Sequence, residues 1–160
     1  MTDPHAKALR LGGAVLHHQM GRRTDKARYY LQRLSDECGP AGIHLALLGW
    51  CDTLAAHAYG SSAPPRIGAG ISLMRADTGQ LDTADSQRVP PKFRWAARLI
   101  EARAAMDEGR YNALIEELPG DRAEVAEYVF AVASMAAWTI NGLPKGYGRM
   151  GQGVDLDGDV

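Results

Sequence analysis

Apolar residues recur along this chain at helical spacing, and glycine and proline punctuate the runs. Leu11, Ala14, Val15 and His18 stand at i, i+3, i+4 and i+7, one face of a helix. The pattern predicts a first helix over about 4–20, with Asp3 as N-cap and Pro4 in the first turn, where its missing N–H costs nothing. Gly21 is the expected C′ residue, free to take positive φ. Thr24 or Asp25 then caps a second helix whose apolar face is Ala27, Tyr30, Leu31 and Leu34, and Gly39-Pro40 breaks it. A third helix is expected over about 41–59. Ile43, Leu47, Trp50 and Leu54 form one stripe on it, while Leu45, Leu48 and Ala55 lie elsewhere on the wheel. A helix apolar on every side is either central in its domain or part of a subunit interface.

The second half restarts at Val89-Pro90-Pro91. Trp95, Leu99, Ala102 and Met106 give one stripe, Ala113, Leu114 and Leu118 mark a short helix, and Pro119-Gly120 stops it. A last helix over about 123–141 carries Val125, Val129, Val132, Met135, Ala136, Trp138 and Ile140, again on all sides. The two halves match at a shift of about 88 residues, with Gly21-Arg22 against Gly109-Arg110 and Trp50 against Trp138. Ala8, Leu11 and Ala14 likewise fall against Ala96, Leu99 and Ala102. Such repetition marks helical units that bury their faces by stacking.

Between the halves, Gly60-Ser-Ser-Ala-Pro-Pro65 reads as a linker. Ile71–Met74 and Gln80–Thr83 flank Ala76-Asp-Thr-Gly79, the pattern of a β-hairpin that must lean on the helices or reach a partner. The expected architecture is therefore mainly α, with about six helices in two pseudo-repeated three-helix halves, 4–59 and 90–141. A small hairpin lies in the connecting segment 66–84. Residues 1–141 form a single domain, and the Gly-rich, terminally acidic 142–160 reads as a flexible tail.

Composition narrows the function more than it defines it. The 160 residues carry a formal net charge of −1, evenly spread, which supplies no general attraction for nucleic acid or anionic membrane. The opening residues lack a basic n-region, Lys7 and Arg10 interrupt the apolar stretch that follows, and no run of membrane-spanning character is expected. Two cysteines, expected to be free thiols, fit a cytoplasmic chain. Arginine outnumbers lysine 14 to 4, the bias of a GC-rich bacterial genome.

Candidate chemistry is sparse. All five histidines and both cysteines lie in the first half, and His44 and Cys51, seven apart, share a helix face with Cys38 just before it. They are the weak candidates for a metal site, because a structural zinc asks for four ligands at tight spacing and none of that spacing is present. Cys51 sits in a very apolar stretch, where a thiol is a core residue and not a nucleophile. Gly68-Ala-Gly70 lacks the rest of a phosphate loop, and Asp155, Asp157 and Asp159 lack the bidentate glutamate of a calcium loop. Arg22, Arg23, Lys26, Arg28 and Arg33 form a basic run interrupted by Asp25, Asp36 and Glu37, the makings of a solvated helix face. No cofactor is expected.

Ala27 and Leu31 after Gly21 resemble the small-then-large packing positions in the second helix of tetratricopeptide repeats. The resemblance covers about thirty residues of each half, with a third helix added and no second copy at the roughly 34-residue spacing of that family. It implies a scaffold that receives peptides or partner helices in a groove. The sequence as a whole leads to a non-catalytic interaction or adaptor domain whose partner is a protein or a second copy of itself. Trp50, Trp138, Leu47 and Met135 are the expected interface residues. A small-ligand or metal-binding protein using His44, Cys51 and Cys38 is the alternative.

Overall fold

The computed structural model describes residues 3–59, 72–74, 81–83 and 89–142. They form a mainly helical protein: α1 (Pro4–Met20), α2 (Thr24–Tyr59), β1 (Ser72–Met74), β2 (Leu81–Thr83), α3 (Pro91–Ala104), α4 (Glu108–Glu116) and α5 (Arg122–Gly142). The strands pair antiparallel, Ser72 opposite Thr83 and Met74 opposite Leu81. The residues expected to turn between them, the linker before them and the acidic tail after Gly142 lie outside the described residues.

Local chemistry explains most boundaries. Asp3 caps α1, its Oδ1 accepting from the His5 N–H at 3.0 Å. Asp107 caps α4 in the same way, accepting from Arg110 N–H at 3.1 Å. Inside α2, Gly39 takes φ 64° and ψ −164°, a conformation open only to glycine, and the helix path breaks there. Five helices are therefore present among the described residues, the second with two limbs that meet at the Gly39-Pro40 break expected between separate helices.

The turn after α1 corrects the expectation for Gly21. Gly21 keeps φ −79°, and Arg22 is the left-handed residue at φ 60°. Its hydrogen bonds run from Gly21 N–H to His17 O, Arg22 N–H to Gln19 O and Arg23 N–H to His18 O. The turn after α3 repeats this pattern, from Ala105 to Glu101, Met106 to Arg103 and Asp107 to Ala102, with Met106 at φ 57°. Both are Schellman-type endings with a side-chain-bearing residue where glycine is favoured. They stand 84 positions apart, from Arg22 to Met106. Gly109-Arg110, aligned with Gly21-Arg22 on sequence, lie inside α4. At a shift of 84 residues Trp50 falls on Ser134 and Ala14 on Arg98, so the match of the turns and the match of the tryptophans belong to different registers.

α1 lies along α2, and α5 touches α1, α2 and α3, while α4 packs on α3. Val15, Leu34, Leu47, Leu99, Ile100, Val132 and Met135 fill the centre. The buried Trp50 donates from Nε1 to Gly12 O at 3.0 Å, and the buried Trp95 donates to Leu114 O at 2.7 Å. Trp138 differs from both. It is half-buried, tilted against Phe93 with ring centroids 5.8 Å apart. Gln19 reaches across the core from α1, its Nε2 donating to Ser134 Oγ at 3.2 Å, and its Oε1 has no partner among the described residues.

α5 also corrects the sequence expectation about membrane-spanning runs. Arg122–Asn141 is long and apolar enough to cross a membrane by length and composition, but 56% of the window is buried within the fold. Its all-round apolarity matches a helix that packs against three others.

Candidate functional site

Of two concavities formed by described residues, one is lined by His44 and neither brings it together with Cys38 and Cys51. The larger is a groove of about 520 Å³ between α2 and the first two turns of α5. Leu31 and Ile43 stand on either side of the Gly39 break, and both line the groove with Val125 and Val129. Leu31 and Val129 are buried at its floor, and Ile43 and Val125 are half-buried.

Arginines stand at the edges of this groove. Arg28 grips Glu127 in a two-pronged ion pair, with Nη1 2.6 Å from Oε1 and Nη2 3.3 Å from Oε2, and its guanidinium lies 4.3 Å over the Phe130 ring. Lys92 reaches the same carboxylate at 3.4 Å. The hydrogen bond from Arg28, with smaller help from Lys92, holds the Glu127 carboxyl below the usual carboxylate range. Arg122 has no ion-pair partner among the described residues and projects from the start of α5.

The smaller recess, about 190 Å³, opens between the second limb of α2, the turn after α3 and the start of α4. His44 and Tyr111 meet edge to face across it, with ring centroids 5.6 Å apart at 75°. Tyr111 is buried and its hydroxyl has no hydrogen-bond partner among the described residues. Burial pushes its phenol up, and the nearby Cys51 adds to the shift. Beside it Arg103 is bound to Asp52, Nε to Oδ1 at 2.8 Å and Nη2 to Oδ2 at 3.1 Å. Met106, Asp107 and Glu108 complete the rim, and Met106, expected on the inward stripe of the helix before it, is instead 79% exposed in the turn that ends α3.

The residues singled out on sequence differ in their surroundings. His44 is exposed at the recess. Cys51 is buried, and burial pushes its thiol well above the ordinary thiol range, which disfavours the nucleophilic thiolate. Cys38 is half-buried, packed on Gly42 across the break in α2. Among the described residues no group of three or more His, Cys, Asp or Glu comes together to hold a metal ion. Leu47, Trp50 and Met135 spend their apolar surface inside the chain's own core, which leaves Trp138 as the expected interface residue with side-chain area to offer.

Sequence reasoning passed over Arg28, Arg122, Tyr111, Asp107 and Glu108 as site residues. Only Asp107 carries a local signal, a capping residue three before Arg110, and that signal speaks of helix ends. Comparison with protein families finds no match, and comparison with curated proteins and with solved structures finds none either.

Proposed function

We propose that this chain is a non-catalytic interaction module, and that it receives an amphipathic segment of a protein partner in the groove between α2 and α5. The observation that carries the reading is the groove itself, whose floor of Leu31, Ile43, Val125 and Val129 is flanked by Arg28 and Arg122. An apolar floor between charged edges is how helix-in-groove recognition works, with side chains one turn apart seated in the groove. Arg122, without an ion-pair partner among the described residues, favours an acidic residue beside the partner's apolar stripe.

The reading rests on an architecture of two related halves, each a helical pair closed by a Schellman-type turn and followed by a long apolar helix. The matched turns at Arg22 and Met106 support it, in the 84-residue register. In this arrangement the long helices supply the shared core and the groove lies where the first half meets the last helix.

Ala126 is exposed and lines the groove, so Ala126→Arg fills the groove without touching the core. Proteins retained from cells of the source organism are compared between the unaltered chain and this variant. The proposal expects a partner held by the first and lost by the second. Identical retention by both, or retention of nothing by either, contradicts it. Light scattering of the purified chain separates a second copy from a different protein as the occupant.

A further inference from the structure

We propose that the recess between α2, the turn after α3 and α4 binds a small organic cation, an ammonium group on an apolar body about the size of a phenyl ring. Size sets the first limit. The recess measures about 190 Å³, and a dry cavity of roughly 150 Å³ takes up benzene.

Its lining sets the second. Leu48, Met106 and the exposed ring of His44 offer apolar surface, with the buried Tyr111 behind them, and such a lining suits an apolar body. Charge sets the third. The one guanidinium in the wall, that of Arg103, is spent on the two-pronged pair with Asp52. Asp107 accepts only from the backbone of Arg110, and neither Asp107 nor Glu108 has a basic side-chain partner among the described residues. The start of α4 contributes roughly half a positive charge, so two carboxylates leave the rim negative. An anionic ligand is disfavoured there, and a neutral one gains nothing from the rim.

Met106 adds an independent sign. It is a methionine in left-handed conformation at φ 57° and it is 79% exposed, while glycine would relieve the backbone and a polar residue would suit the solvent. An exposed, polarizable side chain at a strained turn beside a concavity has a physical reason if it closes over an apolar ligand. The site is separate from the α2–α5 groove, and the inference stands whether or not that groove takes a protein partner.

The test titrates the ¹⁵N-labelled chain with phenethylammonium chloride, with 2-phenylethanol and with 3-phenylpropanoate, following backbone amides by NMR. The ammonium probe is expected to shift the amides of His44, Tyr111 and Asn112 saturably, with weaker or no saturation by the neutral and anionic probes. Asp107→Asn keeps the cap of α4, since asparagine caps as well as aspartate, and Glu108→Gln keeps the shape of an exposed side chain. Together they are expected to weaken the ammonium probe by about three- to tenfold, the effect of losing two exposed charge contacts. Glu108→Gln alone, expected to weaken binding by about two- to threefold, carries the test if the double variant fails to fold. Absence of saturable shifts, equal or tighter binding of the neutral or anionic probe, or unchanged ammonium binding by the folded charge variant overturns the proposal.

Discussion

The Nε1 of Trp50 donates to the carbonyl oxygen of Gly12 at 3.0 Å, where α1 packs closely on α2. A Cβ at Gly12 would sit 3.0 Å from the Ala46 Cβ, a methyl fixed on the facing helix. Close packing of α1 on α2 and the buried donor of Trp50 thus meet at the same residue. Gly12→Ala is expected to destabilise the protein by about 1–2 kcal/mol through overpacking, and Trp50→Phe by about 1 kcal/mol or more through the lost hydrogen bond and volume. Urea unfolding with an unchanged slope checks both, and a neutral Gly12→Ala contradicts the packing account.

Arg22 and Met106 hold left-handed conformations at φ 60° and 57°. Arg22→Gly and Met106→Gly are each expected to stabilise the fold by about 0.5–1 kcal/mol, because the Cβ penalty outweighs the added freedom of the unfolded chain. Met106→Gly is also expected to weaken binding of phenethylammonium, so one substitution moves stability and affinity in opposite directions. Thermal melts with the NMR titration read both. A gain in stability with unchanged affinity removes Met106 from the recess's function.

Gln19 and Ser134 form a buried polar bridge between α1 and α5, 3.2 Å from Nε2 to Oγ. Ser134→Ala leaves the whole Gln19 amide without a partner and is expected to cost about 1–3 kcal/mol. Gln19→Leu with Ser134→Ala removes both polar groups and is expected to recover most of that loss. A double-mutant cycle by chemical denaturation measures the coupling, and strict additivity of the two substitutions contradicts the bridge.

Glu37 joins α1 to α2, 2.6 Å from Arg33 Nε and 2.8 Å from Lys7 Nζ. Hydrogen bonds from Arg33 first and Lys7 second hold its carboxyl at about 2 against an ordinary 4.5. A carboxyl depressed in the folded state contributes stability above its unfolded value, and the contribution is lost as pH falls from about 4.5 towards about 2. Arg33→Ala is therefore expected to flatten the fall in urea midpoint across that window while changing little of its shape between pH 6 and 8. A slope below pH 4.5 that Arg33→Ala leaves unchanged assigns the acid sensitivity elsewhere.

Much of the helical framework is legible in the chain, and the reasons are local. Asp3-Pro4 and Gly39-Pro40 act through neighbours one to four positions away, so the start of α1 and the break in α2 follow from their own chemistry. The all-round apolarity of residues 123–141 likewise announces a buried helix. Arg22 was hidden because its left-handed turn is fixed by hydrogen bonds that the adjacent Gly21 makes easy to misplace by one residue. Trp138 is set apart from Trp50 by tertiary packing alone: both stand in apolar helices, but Trp138 is half-buried, tilted against Phe93 of α3. The groove and the recess depend on how α2 meets α5 and α4. Leu31 and Val125, or His44 and Tyr111, carry no mark in sequence that they will face each other.

The central claim is that the surface between α2 and α5 is where this chain meets a protein partner. A photo-crosslinking amino acid at position 126, in the groove, compared with one at the exposed position 56 of α2, away from the groove lining, measures that contact in cells of the source organism. The account predicts a discrete protein adduct from position 126 that is absent from position 56. No adduct from position 126, or the same adducts from both positions, contradicts it.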